Sequence, residues 1–142
     1  MPVLVNEENF PVIGANACIE YIRDLGVRPK LFVDDYREKA EINRLVHWFD
    51  VIFKKEVFDP IIYEKVFSRI VDNITPNSEN IREALDNLDF HIQYFNYLLN
   101  SKNYFIKDDL TYFDFLAAAN LSILDYLGLL NFKSNENIKE WY

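Results

Sequence analysis

A predominantly helical bundle preceded by a short β-hairpin and one helix is the fold class that the sequence predicts. Three observations point to it. From Asp34 onward, apolar residues recur close to every 3.6 positions over long stretches, the mark of amphipathic helices. Only the first dozen residues carry short β-type runs. Half of the 142 residues are hydrophobic and only 3 are Gly, which supplies a core and argues against a meander of tight turns.

Pro2-Val3-Leu4-Val5 and Phe10-Pro11-Val12-Ile13 are two apolar runs joined by the polar tetrapeptide Asn6-Glu7-Glu8-Asn9, which reads as a hairpin. Pro11 cannot donate to a ladder, so the second strand begins there or lies at an edge. Ala15 to Leu25 reads as a helix stopped by Gly26. Val27 to Val33, with Pro29, is a connector. A hairpin and one helix bury too little to fold alone, so they must pack on something else.

The next helical stretch carries Ile42, Leu45/Val46, Phe49, Ile52/Phe53, Val57, Ile61, Phe67 and Ile70. Pro60 is expected to kink or divide it, because proline removes a donor and crowds the preceding turn. Thr75-Pro76-Asn77-Ser78 is a loop, with Asn77 or Ser78 as the cap of the next helix. Ile81, Leu85, Leu88, Ile92, Phe95 and Leu99 form a regular stripe that predicts a helix ending near Asn100-Ser101. Lys102 to Asp109 reads as an extended connector. Thr111-Tyr112-Phe113-Asp114 fits a capping box, with Thr111 and Asp114 bonding reciprocally and Leu110 and Phe115 placed as a hydrophobic staple. That helix runs to Leu127 and stops at Gly128. A last helix starts near Ser134 or Asn135 and ends at Trp141-Tyr142.

The net charge is −8, from 15 Lys plus Arg against 23 Asp plus Glu. Without a basic cluster, phosphate neutralisation fails, so no nucleic-acid partner is expected. The single cysteine, Cys18, allows no intramolecular disulfide and no cysteine-based zinc site. No basic-then-apolar leader opens the chain and no window approaches the ~20 apolar residues of a membrane span. A soluble, cytoplasmic protein with no membrane partner is the expectation.

Few residues invite chemistry. His47 and His91 lie on different helices without a second ligand at i+4, and each reads as a partly buried, hydrogen-bonded histidine. Cys18 sits mid-helix, away from positive charge, and reads as a small buried side chain. Glu83, Asp86 and Asp89 read as a solvated acidic strip. No catalytic residue and no metal ligand is assigned. Phe90, Tyr94 and Tyr97, at i, i+4 and i+7, occupy a face that the main stripe does not, and Trp48 broadens the apolar face of the earlier helix. Two readings stand: the interior of a bundle, or an interface with another domain or subunit.

Three stretches carry a resemblance to the cytosolic glutathione S-transferase superfamily. Pro2-Val3-Leu4 resembles the family's Val-Pro-Val-Leu, in which the proline is cis. Ala17-Cys18-Ile19-Glu20-Tyr21-Ile22 resembles its Ala-Ile-x-x-Tyr-Leu. Leu110-Thr111-Tyr112-Phe113-Asp114-Phe115-Leu116-Ala117-Ala118-Ala119 resembles its Leu-Ser-x-Ala-Asp-x-x-Ala-Ala capping motif. Arg44 to Asp50, Glu64-Lys65-Val66 and Asn120 to Gly128 look like a divergent alphaproteobacterial branch, some of whose members bind the tubulin-like ring protein of cell division. The resemblance implies that residues 1–30 are a partial thioredoxin-like remnant, a hairpin and helix. Residues 34–142 would form the transferase-type C-terminal helical bundle.

The same resemblance places four family glutathione positions at Met1, Pro2, Gly14 and Ala15, all with degenerate side chains. Gly14-Ala15 stands where the family has a Glu-Ser pair that holds the γ-glutamyl end. Losing each such charge-assisted bond forfeits ~1.5–3 kcal/mol, so glutathione is at most a weakly held cofactor. The part that activates the thiol would precede Pro2, and the family's final helices would follow Tyr142. The expected function is therefore a non-catalytic family protein acting through a protein partner or as a homodimer, with cell division as one setting. The alternative is a fragment of an active glutathione-dependent transferase or peroxidase.

Overall fold

The computed structural model describes residues 1–26, 29–132 and 135–142. Val27 and Arg28 of the expected connector, and Ser134 at the expected start of the last helix, lie outside the described residues.

Strands β1 (Val3–Val5) and β2 (Pro11–Ile13) pair antiparallel, with Val3 opposite Ile13, Leu4 opposite Val12 and Val5 opposite Pro11. Asn6 organises the turn. Its Oδ1 accepts the Glu8 and Phe10 amides at 3.0 and 2.9 Å, while Asn9 takes a left-handed φ of 60°. Helix α1 (Ala15–Asp24) packs on one face of the hairpin, held by Asn6 Nδ2 donating to Tyr21 Oη and Cys18 Sγ donating to the Val12 carbonyl. Val12 and Cys18 are buried there, whereas Val3, Val5 and Ile13 on the opposite face are exposed.

The next element winds without a break from Tyr36 to Ile70. It comprises α2 (Tyr36–His47), a π-helical segment Trp48–Phe58, α3 (Asp59–Ile62), a second π-helical segment Tyr63–Phe67 and α4 (Ser68–Ile70). Asp35 caps its start by accepting from the Arg37 and Glu38 amides. The expected division at Pro60 does not occur. Pro60 lies inside the continuous stretch, and Asn87 Nδ2 of the facing helix donates to the nearby Glu56 carbonyl at 3.3 Å.

The π-helical winding suits the spacing of the buried side chains. Leu45, Phe49, Phe53, Val57 and Ile61 are all fully buried and stand four residues apart. In an α-helix, at about 100° per residue, each such step overshoots a full turn by about 40°. Four steps would carry the stripe about 160° around the helix. Under-winding to i→i+5 bonds, such as Asp59 N–H to Lys54 O, keeps the stripe on one face.

Helix α5 (Ser78–Leu98), capped by Asn77, and α6 (Tyr112–Tyr126) pack against this stretch, and α7 (Glu136–Trp141) closes the bundle. The core joins this five-residue stripe to Leu88, Ile92 and Phe95 of α5, Phe113, Ala117, Leu121 and Leu124 of α6, and Ile138 of α7. Phe49 stacks on Phe95 at 4.9 Å. Phe105, from the irregular segment before α6, sits edge-on to Phe113 at 5.4 Å and to Trp141 at 4.7 Å.

Candidate functional site

The capping box at Thr111 and Asp114 is present and extends further than its motif. Asp114 Oδ2 accepts the Thr111 N–H at 2.9 Å and the Thr111 hydroxyl at 2.8 Å. Its Oδ1 accepts the Phe105 N–H at 3.1 Å and the Trp141 indole N–H at 3.0 Å. One buried carboxylate thus ties the start of α6 to the preceding segment and to α7. Leu110 and Phe115, the expected staple, both remain exposed.

Met1, Pro2, Gly14 and Ala15, the four positions expected from the resemblance to face glutathione, lie at the open end of the hairpin. Gly14 N–H donates to the Pro2 carbonyl at 2.9 Å, so these two positions meet across the ladder. Met1, Pro2 and Ala15 are exposed and Gly14 is half-buried. No peptide bond among the described residues is cis, so Met1–Pro2 is trans, against the expectation drawn from the family motif. The trans form is the lower in energy by ~0.5–1 kcal/mol for an X–Pro bond unless contacts select the other, and Met1 here is almost wholly exposed. Gly14 and Ala15 offer no polar side-chain group. The groove where α1 meets α2 and α6, lined by Glu20, Arg23, Lys39 and Tyr112, encloses about 80 Å³. Small-molecule sites usually offer ~300–1,000 Å³.

The three aromatic residues of α5 divide. Phe90 is 64 % exposed and Tyr97 is 73 % exposed, whereas Tyr94 is half-buried and fixed. Its ring stacks on Trp48 at 4.8 Å, and its hydroxyl accepts from Arg44 at 2.8 Å. Glu41 grips Arg44 through two bonds of 2.7 and 2.8 Å, which holds the guanidinium charged and the Glu41 carboxyl below its usual range. The bundle-interior reading therefore fits Tyr94, and Phe90 and Tyr97 stand on the surface.

His91, on the same helix, is fully buried. Trp48 Nε1 donates to its Nδ1 at 3.0 Å, and its Nε2 lies 3.1 Å from Glu56 Oε2. Burial pushes the imidazole below its ordinary pKa, against the opposing pull of Glu56. His47 is exposed, unlike the partly buried residue expected. Glu83, Asp86 and Asp89 are all exposed along α5, as a solvated strip requires.

Two features carried no sequence signal. Buried Glu64 accepts the Asn77 N–H at 2.8 Å and Asn80 Nδ2 at 2.7 Å, locking the entry to α5. The Trp48–His91–Glu56 chain joins residues 35 to 43 positions apart. Among the described residues, no group of three His, Cys, Asp or Glu is placed to hold a metal, and no helix is long and apolar enough to cross a membrane.

No family model matches the chain. Among curated proteins, FtsZ-localized protein A of Caulobacter vibrioides is 32 % identical over 99 % of this chain and is covered over 63 % of its own length. A solved glutathione S-transferase from Rhodospirillum rubrum F11 is 34 % identical with a TM-score of 0.89, over 100 % of this chain and 64 % of that one. FzlA from C. crescentus is 30 % identical with a TM-score of 0.90, over 99 % of this chain and 62 % of that one. The chain thus spans less than two thirds of the length of these relatives. Its fold is that of the glutathione S-transferases, and its sequence is similar to FtsZ-localized protein A and to FzlA.

Proposed function

We propose that this chain acts through protein contacts rather than glutathione chemistry, in the cytoplasm, with the FtsZ division ring as its partner. The observation that carries the reading is the 32 % identity to FtsZ-localized protein A along 99 % of the chain. Two features of the molecule support it. The glutathione positions Gly14 and Ala15 bring no polar side chain to a ligand. The α5 face offers Phe90 and Tyr97 on a rigid helix beside the anchored Tyr94, and aromatic side chains on a fixed backbone are effective contact anchors. In this reading residues 1–30 are the thioredoxin-like remnant and 34–142 the helical domain that presents the contact face.

Co-sedimentation with polymers of FtsZ from the same organism tests the reading. Wild-type protein should pellet with the polymer, and a Phe90→Ser/Tyr97→Ser double variant, folded by circular dichroism, should stay in the supernatant. Equal pelleting of both proteins would overturn the α5 assignment. Failure of the wild type to pellet, together with saturable glutathione binding, would overturn the contact reading and restore a glutathione-dependent transferase or peroxidase.

A further inference from the structure

His91 is walled by aromatic rings. Phe53 stands edge-on at 5.2 Å, Phe90 at 6.0 Å, and Phe95 lies tilted at 6.1 Å. An indole N–H can only donate, so the Nδ1 that receives Trp48 must be unprotonated. The neutral ring then carries its proton on Nε2 and donates to Glu56. From this buried ring an unbroken chain leads outward. Trp48 stacks on Tyr94, Tyr94 accepts from Arg44, and Glu41 clamps Arg44.

We propose that this chain is an acid-sensitive switch, in which one proton added to His91 breaks the Trp48 bond and releases the Trp48–Tyr94 stack beside the outer face of α5. A protonated imidazole donates from both nitrogens, so two N–H groups would then face each other across 3.0 Å. His91 is enclosed and its Nε2 is held by Glu56, with a stronger bond once charged. Trp48 is only half-buried, so the indole is the group that moves. Tyr94 loses its platform, and the hydroxyl that receives Arg44 shifts with it.

The charged groups around the ring fit this behaviour. Glu56, on the π-helical segment, favours the proton, and its carboxylate is 47 % exposed, which gives the site contact with solvent. Lys55 and Asp59 of the long helical stretch and Glu83 of α5 share the groove beyond Glu56. Asp89 of α5 is engaged by Gln93 on the exposed side of the helix. Arg44 and Glu41 of α2 neutralise each other and reach His91 only through Tyr94 and Trp48. Burial outweighs Glu56, so the switch turns below the ordinary histidine pKa of 6.5.

Nuclear magnetic resonance of the whole chain, from about pH 8 to about pH 5, tests the proposal. The indole N–H signals of Trp48 and Trp141 and the ring nitrogens of His91 are followed together, with far-UV circular dichroism reporting the fold. We expect the Trp48 signal to move with the same midpoint as His91, the Trp141 signal to stay, and the Trp48 shift to vanish in His91→Gln. A Trp48 signal that stays fixed while His91 titrates would overturn the switch. So would a His91 that remains neutral until the helical signal itself is lost.

Discussion

Replacing Asp114 removes the acceptor for four bonds at once. Three of the donors, the Thr111 and Phe105 amides and the Trp141 indole, can only donate. In Asp114→Ala these three are left without a partner in a site where Asp114 itself is 2 % exposed. Each orphaned buried donor costs ~1–3 kcal/mol, and shared relaxation and water entry keep the total nearer the sum of the low values, ~3–5 kcal/mol. Asp114→Asn should be milder. Its oxygen can serve Phe105 and Trp141 while the Thr111 hydroxyl turns to accept from the new amide, leaving one donor-to-donor clash with the Thr111 N–H, worth ~1–3 kcal/mol. Urea unfolding followed by circular dichroism reads both, and the Ala variant should melt on the order of 10 °C lower. An Asp125→Asn control, at an exposed carboxylate, should stay within ~0.5 kcal/mol of wild type. An Asp114→Ala loss under ~1 kcal/mol would refute the reasoning, because the three donors would then have found partners elsewhere.

Other perturbations separate the remaining parts of the fold. Glu64→Ala should cost ~1–3 kcal/mol and expose the segment 71–77 to proteolysis, since Asn77 N–H and Asn80 Nδ2 lose their acceptor. Asn6→Ala should speed amide exchange in β1 and β2 while leaving the urea midpoint of the bundle unchanged, because its bonds stay within the hairpin and α1. His91 makes stability depend on pH in a definite direction. Its folded pKa is depressed below 6.5, so the unfolded chain takes up a proton that the folded one refuses. Stability should be full above pH 6.5, fall as the pH drops below it and level off once the folded pKa is passed. His91→Gln should remove that slope from a series of urea midpoints.

Local signals were the legible ones. The hairpin, the Gly26 and Gly128 stops, the Asn77 cap and the Thr111/Asp114 box each depend on residues within a few positions, and each lies where its motif places it. The long helical stretch reads as an ordinary 3.6-residue pattern only if neighbours such as Val46 and Ile52 are counted with the stripe. The fully buried set is Leu45, Phe49, Phe53, Val57 and Ile61; its spacing of four suits π-helical winding but does not announce it, since Phe113, Ala117 and Leu121 of the α-helical α6 share that spacing. Pro60 sits within the continuous helical stretch, and Asn87, 31 residues from Glu56, donates to the Glu56 carbonyl nearby. The same distance in sequence hides the candidate site. His91 shows nothing in its own neighbourhood that announces Trp48 and Glu56, and the Phe90/Tyr94/Tyr97 pattern does not reveal that only Tyr94 is anchored.

One measurement bears most directly on whether the chain works by contact or by glutathione chemistry. Backbone amide signals of the isotope-labelled protein are recorded during separate titrations with millimolar glutathione and with FtsZ from the same organism. We expect glutathione to leave Gly14 and Ala15 without a saturable shift, and FtsZ to perturb Phe90, Tyr94 and Tyr97 on α5. Saturable glutathione shifts at Gly14 and Ala15, with α5 indifferent to FtsZ, would contradict the contact reading.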